Sequence, residues 1–247
     1  MGQRVTKGVI LAAGRGTRMR ELTNSIPKPM VEVSGKPILS YIVEGLRDCG
    51  VRRLLIIVGY KKEAVMHHFG DGSNFGAEVV YLEQVTQDGT GKVVVLAREF
   101  CDSDPFILSY GDILVDPTCY GALAQPGEAD AILTVRYAED TSKGGAVYLN
   151  ERFEVTDLRE KQASEKTRTN WYNAGLYCFK PTIFPYVERL EKSPRGEYEL
   201  TDAIHAMVQS GRKVQAIEIK GFWADVRDPE VLSALNRKNL SELKKGG

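Results

Sequence analysis

The sequence lacks an excess of charge of either sign. Its 247 residues include 33 basic and 33 acidic side chains, so the formal net charge is zero. This balance removes the general electrostatic case for binding nucleic acid or an anionic membrane surface. The chain also lacks an apolar run long enough to cross a membrane, and no linker, low-complexity tract or internal repeat divides it. We therefore expect a single domain over residues 1–247, with any anion binding confined to local sites.

Cysteine and histidine are scarce, and their spacing does not indicate a metal site. The four cysteines lie far apart with no CxxC pair, which predicts free thiols in a reducing cytoplasm. His67 and His68 are adjacent on a predicted helix, so they point to different faces, and neither has a Cys, Asp or Glu at metal-ligand spacing. We assign neither these histidines nor His205 to a metal, and we predict a cytoplasmic protein.

Short apolar segments alternate with helical segments along the first half of the chain. Strands are predicted at 8–13, 54–58, 79–82, 106–109 and 131–135, and helices at about 38–49, 61–69 and 91–100. Strand, helix and strand at this spacing indicate βαβ units and a largely parallel sheet covered on both faces. After residue 140 the predicted strands 145–149, 153–158 and 175–179 indicate a small antiparallel addition. A helix over 201–210, a strand over 214–219 and a last helix opened by Asp228-Pro229 complete the prediction.

A glycine-rich run that begins at Val9, VILAAGRGTRMRELTNSIPKPMVEV, carries the strongest functional signal. An apolar strand leads into a loop in which Gly14 and Gly16 bring backbone N–H groups close to a ligand. Arg18 adds fixed charge, and Lys28 is held between two prolines. The dinucleotide-binding fingerprint fails because Met19 stands where a third glycine is needed. This pattern favours a bound polyphosphate, although the two glycines alone would also fit a simple tight turn.

The stretch LAAGRGTRMRELTNSIPKPMVEVSGKPIL resembles the N-terminal motif of the sugar nucleotidyltransferases, also called nucleotide-sugar pyrophosphorylases. The segments FILSYGD, LREKQ, WYNAGLYCF, EYELTDAI and WADVRDPEVL follow in the family's order, so the resemblance covers about residues 9–237. In pattern the chain is most similar to single-domain members that transfer thymidylyl or uridylyl groups to glucose 1-phosphate. The resemblance implies a Rossmann-like three-layer α/β/α sandwich with a mixed, mainly parallel sheet. It also implies a nucleotide-binding part over about 1–136 and a sugar-binding lobe over about 137–247.

The reaction implied by the resemblance joins a nucleoside triphosphate to a sugar 1-phosphate and releases pyrophosphate, with Mg²⁺ as cofactor. These two substrates are the expected partners, without nucleic acid or a membrane, and homo-oligomer formation is left open. By the family match, Arg18 and the loop amides hold the triphosphate, Lys28 lies near the reacting phosphates and Lys161 holds the sugar phosphate. Asp112 and Asp225 are the implied metal ligands, although Asp112 alone would also fit an ordinary Asx turn. The nucleotide-binding loop comprises Leu11, Ala12, Ala13, Gly14, Arg15, Gly16, Thr17 and Arg18.

Base and sugar recognition are assigned in the same way. Gln84 aligns with the glutamine that members using UTP or dTTP present to the pyrimidine, and Gly89 and Thr90 complete the base site. Alternatively, Gln84 is a surface residue at the end of an edge strand. The sugar-binding positions are Gly145, Glu160 and Asn173, together with Lys161. Alternatively, Glu160-Lys161 is an exposed pair of charges at the end of a strand, and Asn173 is a strand residue whose side chain hydrogen-bonds to the backbone.

Three other functions remain as alternatives to nucleotidyl transfer from UTP or dTTP. They are a GTP-using mannose or heptose 1-phosphate guanylyltransferase, a CTP-using polyol-phosphate cytidylyltransferase and a catalytically silent regulatory subunit that binds nucleotide sugars. The chain departs from the family pattern at Gln162, at Gly91 and, beside an implied metal ligand, at Arg227, where the family has glycine. The sequence carries no left-handed β-helix of the kind some relatives use for acyl transfer, so we expect no second, acyltransferase activity.

Overall fold

The computed structural model describes residues 4–141, 144–160 and 169–237. The chain divides into two compact units whose segments alternate along the sequence. Unit 1 comprises Met1–Val5, Asp88–Ile107 and Gln125–Lys220, and unit 2 comprises Thr6–Gln87, Leu108–Ala124 and Gly221–Gly247, in their described parts. The predicted single domain, with its two parts meeting near residue 136, stays a prediction. No helix in the described ranges is both long and apolar enough to cross a membrane.

Strands and helices are numbered here in chain order. The strands are β1 (Lys7–Ala12), β2 (Glu32–Val33), β3 (Lys36–Pro37), β4 (Arg53–Val58), β5 (Glu78–Glu83), β6 (Phe106–Tyr110), β7 (Ile113–Val115), β8 (Ala131–Tyr137), β9 (Gly145–Leu149), β10 (Val155–Glu160), β11 (Trp171–Phe179), β12 (Val214–Glu218) and β13 (Trp223–Asp225). The α-helices are α1 (Ile38–Asp48), α2 (Lys62–Phe69), α3 (Arg98–Cys101), α4 (Thr118–Leu123), α5 (Phe184–Glu188), α6 (Leu200–Gln209) and α7 (Pro229–Arg237). Short 3₁₀ helices occupy Thr17–Thr23, Lys28–Met30, Ser73–Phe75, Lys92–Ala97 and Pro181–Ile183.

Unit 2 is built on β1, β4 and β5, which pair in parallel, and β6, which enters the unit at Leu108, lies next to β1 in the order β6-β1-β4-β5. Strand β4 is apolar along almost its whole length, and its residues Leu54–Val58 are buried, as expected of a strand covered on both faces. Helix α1 places Ile38, Ile42 and Leu46 on a buried face, with the i, i+4, i+8 spacing that a helix requires. The last helix begins as predicted, because the Asp228 carboxylate accepts a hydrogen bond from the Val231 N–H at 2.9 Å.

Unit 1 contains the antiparallel strands predicted after residue 140. Strand β9 pairs with β10 and β11, and β11 pairs with β8, all antiparallel, whereas β12 runs parallel to β8. Strand β11 begins at Trp171, four residues earlier than predicted at 175. The register of β11 against β8 shifts between Asn173 and Tyr177, and Gly175 lies in this bulge with φ +82°. Polar and glycine residues in the bulge hid the first half of the strand from the sequence pattern.

The predicted α/β class, with a mixed and mainly parallel sheet and an antiparallel addition, is confirmed. One helix differs from its prediction, since the segment predicted as a helix over 91–100 is a 3₁₀ helix over Lys92–Ala97 that continues into the short α3. Three consecutive valines in this segment are stiff at χ1 and have low helix propensity, which explains the tighter, shorter form. None of the four cysteines, all of which lie within the described residues, forms a disulfide, and Cys101 and Cys178 are buried.

Candidate active site

The glycine-rich loop follows the end of β1 in unit 2 and is fixed by hydrogen bonds on both sides. Gly16 adopts a left-handed conformation with φ +69°. Its carbonyl oxygen accepts hydrogen bonds from the Met19 N–H at 2.9 Å and from the Thr23 hydroxyl at 3.1 Å. A Cβ atom at Gly16 would lie 2.7 Å from the Lys28 Cβ, so only glycine lets these two segments approach so closely.

The start of the same loop is hydrogen-bonded to the segments that follow β4 and β5. The Ala13 carbonyl accepts hydrogen bonds from the Tyr60 N–H at 3.2 Å and from the Gln87 side-chain amide at 2.8 Å. In contrast, the backbone N–H groups of residues 14–16 donate to no acceptor within the described ranges. A fixed loop whose N–H groups at residues 14–16 have no acceptor among the described residues is suited to binding an anion, as the sequence predicts for Gly14–Arg18.

Lys28 and Asp112 form an ion pair in unit 2. The lysine lies between Pro27 and Pro29, both buried, and its side chain is only 13% exposed. The Lys28 Nζ lies 2.5 Å from the Asp112 Oδ2. No backbone N–H in the described parts of the chain donates to the Asp112 carboxylate, so the Asx turn considered from the sequence does not form. The structure therefore brings together two predicted site residues that are 84 positions apart.

Backbone pairing brings Asp225 to Asp112. Strands β7 and β13 are antiparallel, with Asp225 opposite Ile113, and the Val226 N–H donates to the Asp112 carbonyl at 2.9 Å. Gly111 permits a close approach to β1, because a Cβ atom there would lie 2.9 Å from the Leu11 carbonyl oxygen. We refer to Asp112 and Asp225 as the aspartate pair.

The electrostatics of the aspartate pair depend on its burial and on three cations. Burial raises the pKa of Asp225 to about 6, and the negative charge of Asp112 adds to this effect. The charges of Lys28, Arg227 and Arg18 oppose the rise in the pKa. Two carboxylates are a suitable number for Mg²⁺, which takes its other ligands from water and phosphate. No group of three or more His, Cys, Asp or Glu side chains that could hold a metal occurs among the residues that the structure describes.

The described residues of the predicted sugar site lie together in unit 1. Gly145 is the ladder partner of Glu160 between β9 and β10. A Cβ atom at Gly145 would lie 3.0 Å from the Asn173 Cβ and 3.5 Å from the Glu160 Oε2, so the absence of a side chain leaves room beside both polar groups. The Asn173 amide donates to the Tyr177 hydroxyl at 2.7 Å. Lys161, the remaining predicted member, lies outside the described residues.

The residues predicted to contact the base are divided between the two units. Gln84 directly follows β5 in unit 2, is half-buried, and donates its backbone N–H to the Val58 carbonyl at 2.8 Å. Gly89, in unit 1, has φ +122°, and a Cβ atom there would lie 2.4 Å from the Tyr198 carbonyl oxygen. The Thr90 hydroxyl accepts a hydrogen bond from the Leu200 N–H at 3.4 Å. Close backbone packing therefore gives Gly89 a structural reason to be glycine, independent of any ligand.

The sequence analysis did not single out a set of charged and polar side chains in unit 1. Glu199 is 5% exposed, and the Arg195 guanidinium lies 3.1 Å from its Oε1 and 3.7 Å from the Glu160 Oε1. The buried Thr201 hydroxyl has no hydrogen-bond partner within the described ranges. Apart from Glu160, which was assigned to the sugar, these residues belong to or lie just before the segment EYELTDAI, whose members were given no role from the sequence. Glu160, Arg195 and Glu199 also line a cavity of about 600 Å³.

The chain is similar to known proteins over nearly its whole length. A family model described as nucleotidyl transferase matches residues 7–242. The chain is 36% identical to a Haloferax volcanii protein named UTP–glucose-1-phosphate uridylyltransferase AglF, over 91% of this chain and 92% of that protein. It is 32% identical to the low-salt glycan biosynthesis nucleotidyltransferase Agl11 of the same organism, over 98% of this chain and 68% of that protein. The chain spans 53–55% of the length of some longer curated relatives.

A solved structure shows the same fold. The crystal structure titled as UDP-glucose pyrophosphorylase complexed with UDP-glucose matches with a TM-score of 0.85, over 96% of this chain and 99% of that one. The two chains are 22% identical, so this likeness bears on the fold alone.

Proposed function

This chain belongs to the nucleotidyl transferase family, and we propose that it transfers a nucleotidyl group from a nucleoside triphosphate to a sugar 1-phosphate. The products are a nucleoside diphosphate sugar and pyrophosphate. The observation that carries the proposal is the arrangement in unit 2, where Lys28 pairs with Asp112 next to Asp225 and the glycine-rich loop presents unused N–H groups. The name of the relative AglF supports glucose 1-phosphate as one substrate to test.

The proposed reaction is a displacement at the α-phosphorus of the triphosphate. An oxygen of the sugar 1-phosphate attacks, the bond to the β-phosphate oxygen breaks, and pyrophosphate leaves with the electron pair of that bond. Such a transfer needs alignment and positive charge more than covalent help from the protein. Arg18 and the loop N–H groups are assigned to the triphosphate and the leaving pyrophosphate, and Lys28 to the reacting phosphates. Lys161 is assigned to the sugar phosphate.

The aspartate pair fits the requirements of Mg²⁺. Asp112 directly precedes β7 and Asp225 ends the adjacent strand β13. The pKa of Asp225 is raised by burial and further by the negative charge of Asp112. Asp112 and Asp225 would hold the ion, with its remaining positions left to water and phosphate oxygens. When bound there, Mg²⁺ supplies positive charge that reduces the repulsion between the two anionic substrates.

We assign sugar binding to Gly145, Glu160 and Asn173 because they lie together and offer a carboxylate and an amide to hydroxyl groups. Gln84 is assigned to the base, since its amide complements the O4 acceptor and N3–H donor of uracil or thymine. UTP and dTTP are therefore the proposed donors, ahead of the GTP-using and CTP-using alternatives. The presence of Arg18, Lys28 and the aspartate pair argues against a silent regulatory subunit. A cytoplasmic location stays a prediction.

The test is a matrix of nucleoside triphosphates against sugar 1-phosphates, scored by pyrophosphate release in the presence of Mg²⁺. We expect turnover with UTP or dTTP and a hexose 1-phosphate, and near-complete loss of turnover in Asp112→Asn and Asp225→Asn. Asp48→Asn is the matched control, because Asp48 is exposed on α1 and pairs only at the surface with Arg47 at 2.7 Å. Absence of pyrophosphate release with every substrate pair would refute the proposed activity. Near-native turnover in either site variant would refute the aspartate pair as its centre.

A further inference from the structure

We propose that Arg227 is a phosphate-binding residue of this site, and that its charge also weakens divalent-cation binding to the ligand-free protein. The inference rests on the proposed function, because it assigns a further residue to the same site. In the family pattern identified from the sequence, glycine stands at this position, so the assignment concerns a position at which this chain departs from that pattern. The ligand chemistry is a phosphate oxygen, carried by either the leaving pyrophosphate or the incoming sugar 1-phosphate.

The backbone of Arg227 is fixed directly beside the aspartate pair. Val226 is fully buried, and its N–H donates to the Asp112 carbonyl at 2.9 Å. The Arg227 N–H donates to the Asp225 carbonyl at 2.9 Å, which closes a three-residue turn immediately after β13. Arg227 therefore cannot move away from Asp225 without breaking the short ladder that brings the two aspartates together.

The Arg227 side chain is held by one weak ion pair and can still bind a ligand. Its Nε lies 3.6 Å from the Asp228 Oδ2, while the Asp228 Oδ1 accepts the helix-capping hydrogen bond from Val231. The arginine side chain is 39% exposed, and an ion pair at this exposure and distance is weak. The contact engages Nε, and the two terminal nitrogens carry the other four N–H donors, which match phosphate oxygens in geometry.

The charge of Arg227 changes the balance of charge around the aspartate pair. Three cations, Arg18, Lys28 and Arg227, act electrostatically on Asp225, and the aspartate pair carries two negative charges when ionised. With the carboxylate of Asp228, which pairs with Arg227, the set is neutral, and it would carry one negative charge with glycine at 227. The positive charge of Arg227 attracts phosphate and repels a divalent cation, so its removal should change the two affinities in opposite directions.

The test compares three variants in binding experiments at constant ionic strength. Arg227→Gln removes the charge and keeps most of the length, and Arg227→Lys keeps the charge but loses the planar fork. Arg53→Gln is the matched control, because Arg53 is 52% exposed at the start of β4 in the same unit and pairs with Glu78. Calorimetry in excess chelator measures the binding of pyrophosphate and of glucose 1-phosphate. Electron paramagnetic resonance with Mn²⁺ measures cation binding to the ligand-free protein.

We expect Arg227→Gln to weaken binding of at least one phosphate ligand by roughly tenfold and to strengthen Mn²⁺ binding by roughly fivefold. Arg227→Lys should retain the wild-type Mn²⁺ affinity and lose part of the phosphate affinity, and Arg53→Gln should change neither. If pyrophosphate binding is weakened, Arg227 contacts the leaving pyrophosphate. If glucose 1-phosphate binding is weakened, Arg227 contacts the attacking sugar 1-phosphate.

Unchanged binding of both phosphate ligands in a folded Arg227→Gln protein would overturn the inference. Weaker Mn²⁺ binding in that variant would also overturn it, because loss of a nearby positive charge cannot weaken cation binding by electrostatics. These outcomes leave the proposed function intact when the substrate matrix shows turnover. Failure of that matrix would refute the function without altering the binding comparison.

Discussion

Replacing Asp225 by asparagine should stabilise the metal-free protein while it destroys the proposed metal site. Burial, together with the charge of Asp112, raises the pKa of Asp225 from 3.8 to about 6, so the folded protein holds this proton more tightly than the unfolded chain. Ionisation of Asp225 therefore lowers the free energy of unfolding as the pH rises from about 4 to about 6, and this loss of stability is reversed as the pH falls through 6 toward 4. A pKa change of this size corresponds to about 3 kcal/mol at pH 8 and to well under about 1 kcal/mol at pH 4.

Urea denaturation in excess chelator, followed by circular dichroism, measures the effect. Asp225→Asn should exceed the wild type in free energy of unfolding by up to about 3 kcal/mol at pH 8, and the difference should shrink steadily toward pH 4. Asp48→Asn should change the free energy of unfolding by less than about 0.5 kcal/mol at every pH, because its side chain is 59% exposed. A variant no more stable than the wild type at pH 8, or a difference independent of pH, would refute the assigned pKa and its cause.

Three further predictions concern the substrates and the loop. In initial-rate kinetics, Arg18→Ala should chiefly raise the KM for the triphosphate, and Lys161→Ala should chiefly raise the KM for the sugar 1-phosphate, each by a factor of about ten or more. An effect of both variants on the same substrate would contradict the assignment. Gln84→Ala should reduce the preference for UTP and dTTP in a competition assay, and unchanged selectivity would remove Gln84 from base recognition. Gly16→Ala should cost roughly 1–2 kcal/mol of folding stability because of its positive φ and its contact with Lys28. Gly14→Ala, with nothing within 4 Å of its new Cβ, is the control, and equal urea midpoints for the two variants would contradict the packing reason.

Local signals in the sequence were sufficient for the longer strands except the first half of β11, for the glycine-rich loop and for the opening of the last helix. The β1 strand and the loop are contiguous, so one pattern specifies both. The Asp228 cap was predictable because Asp-Pro at a helix start has a direct physical reason. Residues such as Gly145 and Asn173 were assigned by resemblance, and the structure supplies the close packing that the pattern could not show.

Long-range features of the site could not be derived from the sequence. The Lys28–Asp112 ion pair joins positions 84 residues apart, and the pairing of β7 with β13 depends on how distant segments pack. The first half of β11 was missed because a bulge at Gly175 interrupts the alternation of apolar residues. The raised pKa of Asp225 depends on burial and neighbouring charges, which exist only in the folded chain.

The electrostatics of the aspartate pair themselves support a bound cation. A buried carboxylate next to a second carboxylate opposes folding, and Lys28 pairs directly with only one of the two. A site with a purely structural role would be more stable with an amide at position 225. The presence of an acid at this position is therefore best explained by a ligand that needs its negative charge, and the same charge makes the stability of the metal-free protein fall as the pH rises. Arg227 offsets part of this cost in the ligand-free protein, which links its effect on cation affinity to its effect on phosphate affinity.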